Sequence, residues 1–181
     1  MTCIIGLVSG DHVYMGGDSA GVAGWSLTVR TDPKVFVNGD FVMGFTTSFR
    51  MGQLLRFKFK PPPVPEGKDP YEYMVTDFVE AVRTCLKTGG YLKKENDREQ
   101  GGDFLVGWRG VLYRIEDDMQ VAISGEPFLS VGCGQDLALG AVAALLTTRM
   151  MHRPRQLIMK ALQITEAHSA GVRGPFVVEK V

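Results

Sequence analysis

The chain has no excess of either charge, few cysteines and no long apolar run, and each lack excludes something. Twenty Lys and Arg residues balance 20 Asp and Glu residues over 181 positions. That leaves no electrostatic case for nucleic acid or an anionic membrane as a partner. No stretch approaches the roughly 20 consecutive apolar residues that a membrane-spanning helix needs. The N-terminus has no basic region ahead of an apolar core, so it does not read as a secretion signal. The three cysteines, Cys3, Cys85 and Cys133, are odd in number and far apart. They read as reduced thiols of a cytoplasmic protein rather than as a disulfide framework. The three histidines, His12, His152 and His168, lack ligand spacing, so no metal is expected. No organic cofactor is expected either: Gly132-Cys133-Gly134 lacks the third glycine of a dinucleotide loop and any Gly-Lys-Ser/Thr.

What is present is an ordinary globular mixture, 45% hydrophobic and 22% charged. It is long enough for a substantial core and is expected to form one domain over residues 1–181. Residues 3–9 read as a buried strand, Ser9-Gly10-Asp11 as a turn, and residues 12–17 as the returning strand. That hairpin brings Asp18 back beside Thr2 at the start of the first strand. Residues 19–33, with Gly21, Gly24 and Pro33, read as a loop holding at most a short strand. A second hairpin joins residues 34–37 to 41–45, because Asn38-Gly39 lies between two apolar runs.

Thr46-Thr47-Ser48 offers an N-cap for a helix ending near Phe57. The prolines between Pro61 and Pro65 make a stiff, polyproline-like spacer. Tyr71, Met74, Val75, Phe78, Val79, Val82 and Leu86 recur at helical steps and predict an amphipathic helix. Residues 93–100 read as a mixed-charge solvated loop. Strands are expected near 103–108, 111–115, 120–124 and 127–131, then helices over 135–150 and 155–168, and a closing strand at 175–178. Hairpin-joined strands and paired helices in this order predict an α+β protein, a four-layer α/β/β/α sandwich of two antiparallel sheets.

The candidate chemistry starts at Thr2. With Met1 removed, Thr2 carries both a free α-amine and a β-hydroxyl. An α-amine titrates near about 7.7–8.0, so part of it is neutral at cell pH and can take the proton of the neighbouring hydroxyl. Such a pair is an activated nucleophile. Taken singly, Thr2 is an ordinary second residue, Asp18 a turn residue and Lys34 a lysine at a strand start; Cys3 reads as a buried strand cysteine.

Their spacing carries a resemblance. Thr2, Asp18 sixteen positions on, and Lys34 thirty-two positions on are similar to the proteasome β-subunit superfamily of N-terminal nucleophile (Ntn) hydrolases. The chain looks most like the peptidase subunit of bacterial two-part ATP-dependent proteases (HslV) and related phage or bacterial proteasome-like proteins. The likeness covers the whole chain in length and element order. Gly44, in Val42-Met43-Gly44-Phe45, falls where the family has an oxyanion-hole glycine. Gly132-Cys133-Gly134 falls at the family's Gly-Ser-Gly turn, with Cys133 in place of the serine. The family's Asp and Ser after the last helix are not recognisable, and Ser169 is the candidate substitute.

The resemblance implies the Ntn hydrolase fold and a threonine-type endopeptidase with Thr2 as nucleophile. Lys34 would favour the alkoxide, Asp18 would hold Lys34 charged, and the Gly44 N–H would bind the oxyanion. Cys133 and Ser169 would support the N-terminal amine. It also implies a polypeptide substrate, a homo-oligomeric ring or barrel, and an AAA+ unfoldase ATPase as partner. Two other readings stay open: a catalytically silent structural subunit of the same fold, and a stand-alone Ntn amide hydrolase.

Overall fold

The computed structural model describes residues 1–95 and 98–181. Strands β1 (Ile4–Ser9) and β2 (His12–Gly17) form the first hairpin, with Ile4 opposite Gly17 and Ser9 opposite His12. Gly10 turns it in the left-handed region at φ 60°, where glycine carries no Cβ penalty. Strands β5 (Val35–Asn38) and β6 (Phe41–Phe45) form the second, around Gly39-Asp40. Between them the expected loop is a hairpin of its own, β3 (Ala20–Ala23) paired with β4 (Ser26–Val29).

The second half supplies β9 (Phe104–Trp108), β10 (Val111–Ile115), β11 (Val121–Ile123), β12 (Phe128–Val131) and β13 (Val177–Lys180). One sheet has the order β12-β1-β2-β13 and the other β11-β10-β9-β6-β5. Neighbours in both run antiparallel. Alternation along the strands sends every second side chain into the space between the sheets. There Ile4, Val13, Met15, Val35, Leu105 and Val131 form one apolar cluster.

Helices cover the outer faces. Helix α1 (Phe49–Phe57) starts where the Ser48 side chain accepts the Arg50 N–H at 3.1 Å. The long helix expected next is three pieces: α2 (Pro70–Tyr73), a π-helical turn (Met74–Phe78) and α3 (Val79–Thr88). The wider turn keeps Tyr73, Met74, Phe78 and Val79 all buried against the five-stranded sheet. Helices α4 (Gln135–Leu146) and α5 (Pro154–His168) pack Ala138, Val142, Leu157 and Leu162 on the four-stranded sheet. The layers are therefore helix, sheet, sheet, helix.

Three boundaries differ from expectation. Residues 93–100 include a ladder of β7 (Lys93–Glu95) with β8 (Arg98–Gln100); the part of the expected loop at residues 96 and 97 lies outside the described residues. Helix α4 stops at Leu146, and a 3-10 turn (Arg149–His152) precedes α5. The closing strand begins two residues late, because Pro175 has no N–H to give a ladder.

Candidate active site

Three strand ends meet at one end of the sandwich. Thr2 precedes β1 and Asp18 follows β2, so the β1–β2 register makes them neighbours. The Asp18 N–H donates to the Cys3 carbonyl at 3.3 Å, and the Cys3 N–H donates to Asp18 Oδ1 at 3.0 Å. Lys34 comes from the other sheet, just before β5. The sheets close tightly here: a Cβ on Gly17 would lie 2.8 Å from Val35 of the facing sheet. As a result Lys34 Nζ donates to Asp18 Oδ1 at 2.8 Å and to Thr2 Oγ1 at 3.0 Å. It also reaches the Met1 carbonyl at 3.3 Å.

This ion pair is dry. The side chains of Lys34 and Asp18 are 1% and 0% exposed. Removing two charges from water is costly unless the remaining lone pairs and protons are satisfied. Asp18 Oδ2 meets that need by accepting the Ala20 N–H at 2.9 Å and the Arg173 N–H at 3.4 Å. Burial pushes Lys34 below the usual lysine range, with the attraction of Asp18 opposing the shift. The ammonium beside Thr2 Oγ1 is thus held less firmly than one in water. Thr2 itself is buried, and its hydroxyl donates to the Met1 carbonyl at 2.5 Å. While Met1 is attached, the Thr2 nitrogen is an amide and carries no basic lone pair.

The Gly132-Cys133-Gly134 turn wraps around Thr2. The Thr2 N–H points to Cys133 Sγ at 3.3 Å, and Sγ lies 3.4 Å from the Thr2 carbonyl. That carbonyl also accepts the Gly134 N–H at 3.2 Å. Gly132 is required here: its φ is 101°, and a Cβ would collide with the Thr2 carbonyl oxygen. Cys3 is unsuited to nucleophilic work, since burial pushes its thiol up to about 12.

Two expected residues stand elsewhere. Gly44 lies inside β6, opposite Val35 on one side and Leu105 on the other. A Cβ there would meet Ile4 at 2.6 Å and Met15 at 2.7 Å, so this glycine serves the contact between the sheets. Its N–H belongs to the β6–β9 ladder, two residues from the Thr46 N–H to Asp103 carbonyl bond. It is not a free donor. Ser169 caps the C-terminal end of α5, and among the described residues its hydroxyl makes no hydrogen bond to Thr2, Lys34 or Asp18. From that loop it is the Gly171 carbonyl that approaches Cys133 Sγ, at 3.9 Å.

A donor missed from the sequence is Thr47. It has a φ of 60° and lines the same cleft as Thr2, and its N–H has no partner among the described residues. A β-branched residue in the left-handed region is strained, which marks the spot. The cleft has a volume of about 290 Å³. The β3–β4 hairpin walls one side, through Gly21, Val22 and Thr28, and residues 45–49 wall the other. Among the described residues no group of His, Cys, Asp and Glu could hold a metal, and no helix is long and apolar enough to cross a membrane.

No protein-family model matches the chain, and no curated protein does. Solved structures do. BPH from Thiobacillus denitrificans superposes with a TM-score of 0.75 at 17% identity, over 99% of this chain and 97% of that one. BPH has also been solved in complex with epoxomicin. The eukaryotic HslV of Trypanosoma brucei matches at 0.70 and 18% identity, over 99% and 98% of the two chains. Anbu from Pseudomonas aeruginosa, described as a helical assembly, matches at 0.66 and 14% identity, over 100% of this chain and 81% of that one. The fold is that of the Ntn, proteasome-like hydrolases.

Proposed function

We propose that this chain is a threonine-type peptide hydrolase whose nucleophile is Thr2, exposed at the N-terminus by removal of Met1. One observation carries the reading. A buried lysine donates at once to the Thr2 hydroxyl oxygen, at 3.0 Å, and to a buried aspartate, at 2.8 Å. A solvated strand end has no use for a dry ammonium beside a hydroxyl, and the arrangement is costly to build.

Free of Met1, the α-amine of Thr2 takes the proton from Oγ1 as the oxygen attacks the scissile carbonyl. Lys34 stabilises the developing alkoxide, and Asp18 fixes Lys34 in place. Cys133 Sγ, 3.3 Å from the Thr2 nitrogen, orients the amine. The tetrahedral oxyanion needs a donor, and the unpaired Thr47 N–H on the cleft wall takes that role in place of Gly44. One such donor is worth about 3–4 kcal/mol of barrier. Collapse releases the amine product, to which the α-ammonium returns the proton it took, and leaves an ester on Thr2 Oγ1. Water, activated by the same α-amine, hydrolyses that ester.

The cleft holds roughly one side chain, which suits an extended, unfolded polypeptide lying between the β3–β4 hairpin and residues 45–49. The likeness to Anbu, solved as a helical assembly, supports a homo-oligomeric assembly; a ring fed by an AAA+ unfoldase in the cytoplasm belongs to the same proposal, as the sequence resemblance implies it. The epoxomicin complex of the BPH neighbour supports a threonine site open to that class of inhibitor.

The deciding experiment is an intact mass before and after incubation with an epoxyketone or β-lactone probe. Loss of the methionine mass plus one adduct, absent in Thr2→Ala, is the expected result. Full retention of Met1 with no adduct would replace this reading with a silent subunit of the same fold.

A further inference from the structure

The cleft beside Thr2 contains one charged side chain, and that side chain is unusually well fixed. Arg30 follows β4, and its N–H donates to the Ser19 carbonyl at 2.8 Å. Its stem crosses Gly21 so closely that a Cβ there would come within 2.9 Å of Arg30 Cδ. The guanidinium lies over the ring of Phe49, with Cζ 3.7 Å from the centroid. The same ring has Lys34 Nζ at 5.6 Å, so one aromatic ring links Arg30 to the lysine that contacts Thr2. Nε and NH2 donate to the two carboxylate oxygens of Asp32, at 2.8 and 2.6 Å. Four separate contacts thus hold one planar group on the cleft wall.

A guanidinium has two edges that can grip a carboxylate with parallel hydrogen bonds. Asp32 occupies the edge made by Nε and NH2. The other edge, NH1 with the second proton of NH2, has no hydrogen-bond partner among the described residues. Asp32 itself is not on the cleft lining, and no other carboxylate is. Held flat, desolvated on one face by Phe49 and open at one edge, Arg30 has the form of a reader for a second carboxylate.

We propose that Arg30 makes this hydrolase select an acidic side chain, Glu or Asp, on the acyl side of the scissile bond. The proposal rests on the Thr2 reading for where the peptide lies. Asp32 and Phe49 act as positioning residues: they orient the fork rather than touch the substrate. The competing outcome is an apolar preference, because Val22, Phe45 and Phe49 share the same lining.

The test compares peptides that are blocked at the N-terminus and carry a fluorogenic amide after Glu, Gln or Leu, so that a side-chain carboxylate is the only one offered. The processed protein should cleave after Glu with a kcat/KM at least about tenfold above that after Gln at low salt. Arg30→Met should bring the Glu-to-Gln ratio close to one, and Arg30→Lys should recover only part of it. A Gln or Leu preference in the unmodified protein, or a ratio unmoved by Arg30→Met, would overturn the proposal while leaving the Thr2 nucleophile intact. A second arm does not depend on turnover. Binding of Glu and Gln carboxamide peptides to Thr2→Ala protein, read by fluorescence anisotropy, should show the same ratio and the same loss in Thr2→Ala/Arg30→Met. Equal binding of the two peptides would refute the role of Arg30. Absence of turnover and of a probe adduct, with the binding ratio intact, would instead remove the nucleophile reading alone.

Discussion

Two cation–carboxylate pairs flank one cleft, and the shorter of them is the weaker. Arg30 and Asp32 approach to 2.6 Å, Lys34 and Asp18 to 2.8 Å. Distance therefore does not rank them; water does. The Arg30–Asp32 side chains are 35% and 42% exposed, whereas those of Lys34–Asp18 are 1% and 0% exposed. Solvent screens the first pair and offers both partners an alternative, which is why exposed pairs contribute little. The second pair has no alternative, so each partner depends on the other and on the backbone around it. The shifts of the two cations run in opposite directions for the same reason. Burial pushes Lys34 down, while the hydrogen bonds to Asp32 push Arg30 up. One pair is shaped by burial, the other by its hydrogen bonds.

The largest expected effect is at Asp18. Asp18→Ala strands the buried Lys34 ammonium and takes the acceptor from the N–H groups of Cys3, Ala20 and Arg173. Breaking a buried pair on one side costs about 3–5 kcal/mol. Urea unfolding of Asp18→Ala should show a loss of that size. Adding Lys34→Met should return part of it, because the orphaned charge goes too; strict additivity of the two substitutions would mean that the pair is not coupled.

Much of this cleft was legible in the sequence, and the exceptions share a cause. The β1–β2 hairpin could be read from its apolar runs and Gly10, and it carries Asp18 to Thr2. The β3–β4 hairpin could not, since β4 alternates polar and apolar residues over only four positions, all of them exposed. Gly44 misled because a glycine that lets Ile4 and Met15 pack is written with the same letter as one that admits a substrate. Thr47 was hidden for the converse reason: its backbone is left-handed, yet its side chain is of the type least associated with that conformation. The π-helical turn at Met74–Phe78 is likewise a packing outcome, with no residue that announces it. The sequence recorded partners set by pairing and pattern, and was silent where a backbone bends to serve a neighbour.

A smaller effect separates the pairs by pH. Lys34 has a folded pKa below the ordinary lysine value of 10.5, so between the folded value and 10.5 the unfolded chain binds more protons than the native one. Stability from this group therefore rises with pH through that window and is lost as pH falls through the folded value. Asp32 is also lowered, from 3.8, so its contribution is present above 3.8 and is lost as pH falls through its own folded value. Urea midpoints of the unmodified protein and Lys34→Met, measured from neutral pH to 10.5, should differ in slope. Parallel profiles would mean that Lys34 keeps its ordinary affinity for the proton and that burial does not distinguish the pairs.

The smallest effect belongs to Asp32→Asn. The carboxamide keeps an acceptor for Arg30 and removes only the charge, and at 42% exposure of Asp32 that charge is mostly answered by water. The expected change in unfolding free energy is about 0–1 kcal/mol, screened by salt. Asp18→Ala should keep its cost at high salt, because counter-ions do not reach a side chain that is 0% exposed. The pairing of the two variants makes the comparison quantitative. If Asp32→Asn costs as much as Asp18→Ala, or if salt moves both alike, then Arg30 is tied into the fold as Lys34 is. In that case its guanidinium is a structural strut, and its free edge follows from its anchoring rather than from a task of recognition.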